Sequence, residues 1–229
     1  MRINKFIAMS TGLSRRAADA AIEAGRVLLN GQAPSAGSQV TPEDTVQLDG
    51  KTLAVTSTTT TIMLNKPFGY VCSRDGQGSE TIYDLLPADY QELKSVGRLD
   101  KNSSGLLLLT NDGQLAQRLT HPSFEKVKIY QVTLDKPLTD NDKKAIDQGV
   151  QLRDGMSRLQ VTVNRGWDNT ATGNRSTVTY TVSMHEGRNR QIRRTFESLG
   201  YTVRKLHRTH FGTYILGDLA SGATMIIAS

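Results

Sequence analysis

Residues 54 to 61 read Ala-Val-Thr-Ser-Thr-Thr-Thr-Thr, a polar, repetitive run without helical period, and the hydrophobic pattern differs on its two sides. The run reads as the end of a strand and a linker, so the chain is expected to fold as two units. Ahead of it, Ile3, Phe6 and Ile7 recur at helical spacing, Gly12 stops that helix, and Ser14 is a natural N-cap for a second through Ala17, Ala18, Ala21 and Ile22. Gly25 ends it. Val27 and Leu29 then alternate up to a hairpin signal at Asn30-Gly31, and a strand around Val46 and Leu48 reaches another turn at Asp49-Gly50. Beyond the run, strand patterns at 61–64, 106–110, 130–134, 159–163 and 177–184 outnumber helical ones at 114–119, 140–148 and 191–199. This order predicts an α+β fold. A small helix-helix-sheet unit spans 1–55, a linker 56–61, and a larger mixed, mostly antiparallel sheet with flanking helices 62–229.

A formal charge of +6 and a pI near 9.5 point to a polyanionic partner, whether RNA, DNA or an anionic membrane. No apolar stretch approaches the roughly 20 residues of a membrane helix, the longest being Leu106–Leu109. The N-terminus is broken by charge and lacks the apolar run of a signal peptide, so a cytoplasmic protein without a membrane partner is expected. The single cysteine, Cys72, excludes a disulfide scaffold and a thiolate zinc cage. There is no Walker loop and no Gly-x-Ser-x-Gly elbow, and His207 and His210 lack a nearby cysteine or acidic cluster to complete a metal site. Carboxylates, arginines and tyrosines remain, and neither metal nor cofactor is expected.

In the first thirty residues Arg2, Lys5, Arg15, Arg16 and Arg26 face only Asp19 and Glu23. Arg15 and Arg16 fall in the first turn of the second helix, where free backbone N–H groups already favour an anion such as phosphate. Through Gly-Leu-Ser-Arg-Arg-Ala-Ala-Asp (12–19), Gly-Arg-Val (25–27) and Asn-Gly (30–31), the segment resembles an S4 RNA-binding domain. Asn4, where such domains often carry Asp, is a departure.

The densest candidate for chemistry is Gly97-Arg98-Leu99-Asp100-Lys101-Asn102-Ser103-Ser104-Gly105, a polar loop leading into the strand Leu106–Thr110. A carboxylate there sits on a loop held by a rigid sheet, where functional groups often lie. Taken alone, Asp100 reads as a surface loop carboxylate paired with Arg98 or Lys101. Asn65-Lys66-Pro67-x-Gly69-Tyr70, the 97–113 segment, Lys128-Ile129-Tyr130 and Glu186-Gly187-Arg188-Asn189-Arg190-Gln191-Ile192-Arg193-Arg194 follow one another along the chain. Together they resemble the Rsu/Rlu group of ribosomal-RNA pseudouridine synthases. One departure is the C-terminus, where many relatives carry an Arg and a longer acidic tail.

The resemblance implies isomerisation of a uridine to pseudouridine, most consistently in ribosomal RNA within a subunit or assembly intermediate, by a monomer. Asp100 then matches the catalytic aspartate, Tyr130 the active-site tyrosine and Arg193 the basic partner of Asp100, within hydrogen-bonding reach at about 2.7–3.2 Å. Hydrolysis of a glycosidic bond ordinarily uses two flanking carboxylates, whereas this loop offers one, with Asp112 the nearest other. The carboxylate is left with attack at C1′, addition at C6, or a glycal-forming elimination. Arg98, Lys66, Lys128, Arg15, Arg16, Arg188, Arg190 and Arg194 are the expected RNA contacts, with Arg98 placed to fill the gap left by a flipped base. The competing reading is a non-catalytic S4-type RNA-binding or ribosome-assembly factor.

Overall fold

The computed structural model describes residues 1–54, 59–121, 126–163 and 178–227. The chain divides into two compact units, Met1–Thr59 and Thr60–Ser229.

In the first unit, helices α1 (Ile3–Thr11) and α2 (Arg15–Glu23) precede strands β1 (Val27–Leu29), β2 (Val46–Leu48) and β3 (Lys51–Thr52). Gly12 closes α1 in the left-handed region, and Ser14 Oγ accepts the Ala17 N–H at the start of α2. Ile3, Ile7, Ala18, Ala21 and Ile22 meet Val27, Val40 and Val46 in one core. Asn30 and Gly31, at φ +50° and +80°, make the tight turn their sequence demands. That turn closes only a Leu29–Gln32 bridge, and the extended partner of β1 is the later strand β2.

The second unit contains β4 (Thr61–Lys66), β5 (Lys94–Val96), β6 (Ser104–Thr110), α3 (Gly113–Thr120), β7 (Lys128–Leu134), α4 (Asp140–Gln148), β8 (Val150–Leu152), β9 (Gly155–Ser157), β10 (Gln160–Val163), β11 (Val178–Met184), α5 (Gln191–Ser198), β12 (Val203–Phe211), β13 (Tyr214–Ile215) and β14 (Thr224–Ile226). The main sheet runs β10-β11-β7-β12-β6-β4-β14, with β13 on β12 and β5 on β6. Every pairing is antiparallel except β12 with β6. Val132, Leu134, Tyr180 and Val182 pack against Ile192 and Phe196 of α5, while Leu106 and Leu108 share a second cluster with Leu119 of α3.

Three expectations need correction or limits. Thr61 belongs to the sheet and not to the linker: it is buried, and its hydroxyl lies 2.8 Å from that of Thr110. The strand β12, the longest of the described residues, occupies a segment for which no strand pattern is expected. Its buried positions Val203, Leu206, Arg208 and Phe211 are spaced three, two and three apart because bulges interrupt the register after Val203 and Arg208. A period-two pattern is thereby erased. Residues 55–58 of the linker run and Thr177 lie outside the described residues.

Candidate active site

The loop carrying Asp100 connects β5 to β6 and is held from beneath by side chains that grip its backbone. Lys66, at the end of β4, is fully buried, and its Nζ donates to the carbonyls of Ser103 at 2.8 Å, Pro67 at 3.0 Å and Asp100 at 3.2 Å. Burial lowers the Lys66 ammonium to about 8, against the opposing pull of Cys72 and Asp100. The Cys72 thiol donates to the Leu99 carbonyl at 3.3 Å and receives the Leu99 N–H at 3.4 Å, and burial pushes that thiol up. From α5, Arg193 donates to the Asn102 carbonyl at 2.5 Å and to the Val203 carbonyl at 2.9 Å.

Where the loop enters β6, Gly105 has φ +102°, and a Cβ there would lie 2.2 Å from the Arg208 carbonyl oxygen. Only glycine allows β6 and β12 to run this close. Arg208 is thereby fixed opposite Gly105 on one side and Tyr130 on the other. Its Nε donates to the Leu106 carbonyl at 2.8 Å, and the side chain is 97% buried, with Cζ 4.8 Å from the Phe211 ring centroid.

Above this floor lies a cavity of about 840 Å³ whose wall includes Asp100, Tyr130, Arg98, Lys128, Arg190 and Arg208. Tyr130 is 8% exposed and sits on β7 between Val182 and Arg208. Lys128 is held below its ordinary value first by burial and then by the neighbouring Arg208. Arg190 caps α5 in the left-handed region at φ +49°, exposed at the cavity rim. The arrangement gives one carboxylate and one flat ring in a recess whose edge is cationic.

Several expected roles change. No ion pair joins Arg193 to Asp100 among the described residues; the guanidinium instead holds the loop carbonyl two residues on, while its charge still bears on Asp100. Lys66 presents no ammonium to RNA, because all three of its contacts are carbonyls beneath the loop. Arg194 forms a two-point bridge to Asp154 at 2.8 and 2.9 Å, and Arg188 reaches the same carboxylate, the Met156 carbonyl and Glu186. These two arginines fasten α5 and its preceding turn to the unanticipated β8–β9 hairpin. In the first unit Arg15 and Arg16 are exposed, and Asn4 links Arg15 to Asp19, at 3.3 and 2.8 Å. Arg208 escaped sequence reasoning because it lay among seven basic residues, and the two bulges hid the alternation that marks it as inward-facing. Among the described residues no His, Cys, Asp and Glu group is placed to hold a metal ion.

The RNA pseudouridylate synthase family matches residues 60–198, and the S4 domain family matches residues 1–46. The chain is 37% identical over 222 residues to ribosomal large subunit pseudouridine synthase B of Vibrio cholerae serotype O1, covering 94% of this chain and 67% of that one. It is 37% identical over 225 residues to ribosomal small subunit pseudouridine synthase A of Escherichia coli K12, covering 97% and 94%. A crystal structure of a pseudouridylate synthase superposes with a TM-score of 0.68 at 32% identity, covering 100% of this chain and 96% of that one. With an S4 domain ahead of its catalytic unit, this chain belongs to the RNA pseudouridylate synthase family, the enzymes that isomerise uridine in RNA.

Proposed function

We propose that the protein converts a uridine of ribosomal RNA to pseudouridine in the cytoplasm, acting as a monomer on a ribosomal subunit or assembly intermediate. The observation that carries this reading is the shared cavity, in which a single loop carboxylate, Asp100, and the ring of Tyr130 face a cationic rim. Two relatives of equal identity, one named for the large and one for the small ribosomal subunit, support rRNA as the substrate class.

The reaction breaks the N1–C1′ bond and joins C5 to C1′ without changing composition, so it needs no redox partner. Flipping the base out of folded RNA costs roughly a few kcal/mol of unstacking. Stacking on Tyr130 and phosphate contacts from Arg98, Lys128 and Arg190 offset that cost. Asp100 then acts on the sugar or the base from a loop whose backbone is fixed by Lys66, Cys72 and Arg193. Arg15 and Arg16 of the first unit contribute affinity and leave the chemical step untouched.

Release of tritium from rRNA labelled at uridine C5 tests the assignment. Asp100→Asn keeps the side-chain volume but supplies neither nucleophile nor base, so release should fall by at least about 10³-fold with RNA affinity retained. Near-normal release would remove Asp100 from the mechanism, and binding without release by the unaltered protein would favour the assembly-factor reading.

A further inference from the structure

Arg208 is a cation whose surroundings do not account for it. The side chain is 97% buried, its Nε is used by the Leu106 carbonyl, and its Nη2 is buried without any hydrogen-bond partner. No carboxylate stands within salt-bridge distance among the described residues, and Lys128, another cation of the same cavity wall, flanks the same Phe211 ring. Burying a guanidinium with an idle donor is costly unless something arrives to use it. The glycine at 105, with a backbone approach that tolerates no Cβ, keeps it in place.

We propose that Arg208 is the electrostatic partner of the uracil ring, donating from its guanidinium to a carbonyl oxygen of the base as negative charge develops there. This rests on the pseudouridine reading above. When the N1–C1′ bond breaks, its electron pair leaves on N1 and spreads to O2 and O4; C1′ either bonds to the Asp100 carboxylate or becomes part of a C1′=C2′ double bond as Asp100 accepts the C2′ proton. If Asp100 adds first at C6, the displaced pair moves to C5 and O4. In each route the base gains a charge that it lacked on binding. A fixed donor that strengthens only as this charge appears accelerates the step without tightening the ground state.

The base is favoured over an RNA phosphate by the setting. Arg208 lies beneath the surface among Tyr130, Leu206 and Phe211, flat or apolar groups that suit a planar ring. A phosphate would have to shed its water to reach this depth, whereas Arg98 and Arg190 are exposed on the same cavity wall.

The test uses the full chain and a transcript it modifies, with either uridine or 5-fluorouridine at the target, under single-turnover conditions. Fluorine withdraws electrons and makes the departing base less dependent on an external cation. Arg208→Gln should slow conversion of uridine by about 10²- to 10³-fold. The same substitution should slow consumption of 5-fluorouridine at least about tenfold less, since a better leaving group needs less of the stabilisation removed. RNA affinity and its salt dependence should stay unchanged. Equal losses on the two bases, an unchanged rate, or a loss of affinity with a shallower salt slope, as a phosphate contact would give, each overturn the proposal. If Arg208→Gln does not fold, Arg208→Lys keeps the charge but not the fork and should show the same bias toward 5-fluorouridine in weaker form; an absent bias overturns it equally. Failure of the unaltered protein to convert either base would instead count against the pseudouridine reading itself.

Discussion

Replacing Lys66 by methionine separates the cost of a buried charge from the value of what that charge holds. The ammonium releases its proton near pH 8 in the fold against an ordinary value of 10.5, and each pH unit of that gap is worth about 1.4 kcal/mol. At pH 7 the folded protein therefore bears a penalty of about 3 kcal/mol for keeping Lys66 charged. Methionine removes the penalty but strands the carbonyls of Pro67, Asp100 and Ser103, each worth about 1–3 kcal/mol when left unpaired in the interior. The expected balance is a net destabilisation on the order of 3 kcal/mol at pH 7. The pH dependence carries the sharper test. Below the folded value both states hold the proton and the slope is flat; between 8 and 10.5 the unfolded chain binds more protons, so stability rises with pH. The gap between the unaltered protein and Lys66→Met should widen by about 1 kcal/mol from pH 7 to pH 9. Lys94 and Lys128 are also lowered by burial, but they are common to both proteins and cancel in the difference. Urea titration of the larger unit at pH 7, 8 and 9 measures it. A gap that stays constant or narrows would refute the argument. The freed loop should also lose about 10²-fold in turnover, as expected for a displacement near 1 Å.

Other consequences are as direct. Gly105→Ala should cost about 3 kcal/mol or more by thermal unfolding, because the new Cβ meets the Arg208 backbone at a φ that L-residues avoid. Arg193→Ala should lower single-turnover rate with affinity retained, whereas Arg194→Ala, losing an exposed bridge to Asp154, should cost no more than about 1 kcal/mol of stability and leave the rate alone. Reversing both Arg15 and Arg16 to Glu should weaken binding to structured rRNA and flatten the dependence of log affinity on log salt by at least about one, with the rate at saturating RNA unchanged.

Elements whose local signals agree with their tertiary setting were legible in the chain. Ser14 and Gly12 bound α1 and α2, and α4 spans the same Asp140–Gln148 that its pattern indicates. The loop carrying Asp100 stood out because glycines at 97 and 105 bracket it. What stayed hidden depends on contacts between distant segments. The burial of Lys66 arises from the loop it holds, thirty-four and thirty-seven residues away. Asp154, which claims Arg188 and Arg194, sits in a hairpin that its Asp154-Gly155 pair could have announced, but whose strands of three residues each are too short to show an alternating pattern. Charge adjacency in sequence therefore overstated the surface free to meet RNA. Arg193 holds the Asn102 and Val203 carbonyls in place of the Asp100 carboxylate expected as its partner, since a guanidinium fork can serve two carbonyls as readily as one carboxylate.

The parallel pairing of β12 with β6 has a consequence in time. Its register joins Ser104 to His207 across 103 residues, so forming it requires closure of a long loop, the kind of contact that slows folding. During synthesis the Asp100 loop emerges well before β12, and until Phe211 has left the ribosome the sheet lacks the strand that joins its two halves. The cavity wall, the Arg193 grip and the Arg208 floor therefore come together in one late event. A nascent chain that ends short of β12 therefore carries Asp100 without the wall that faces it.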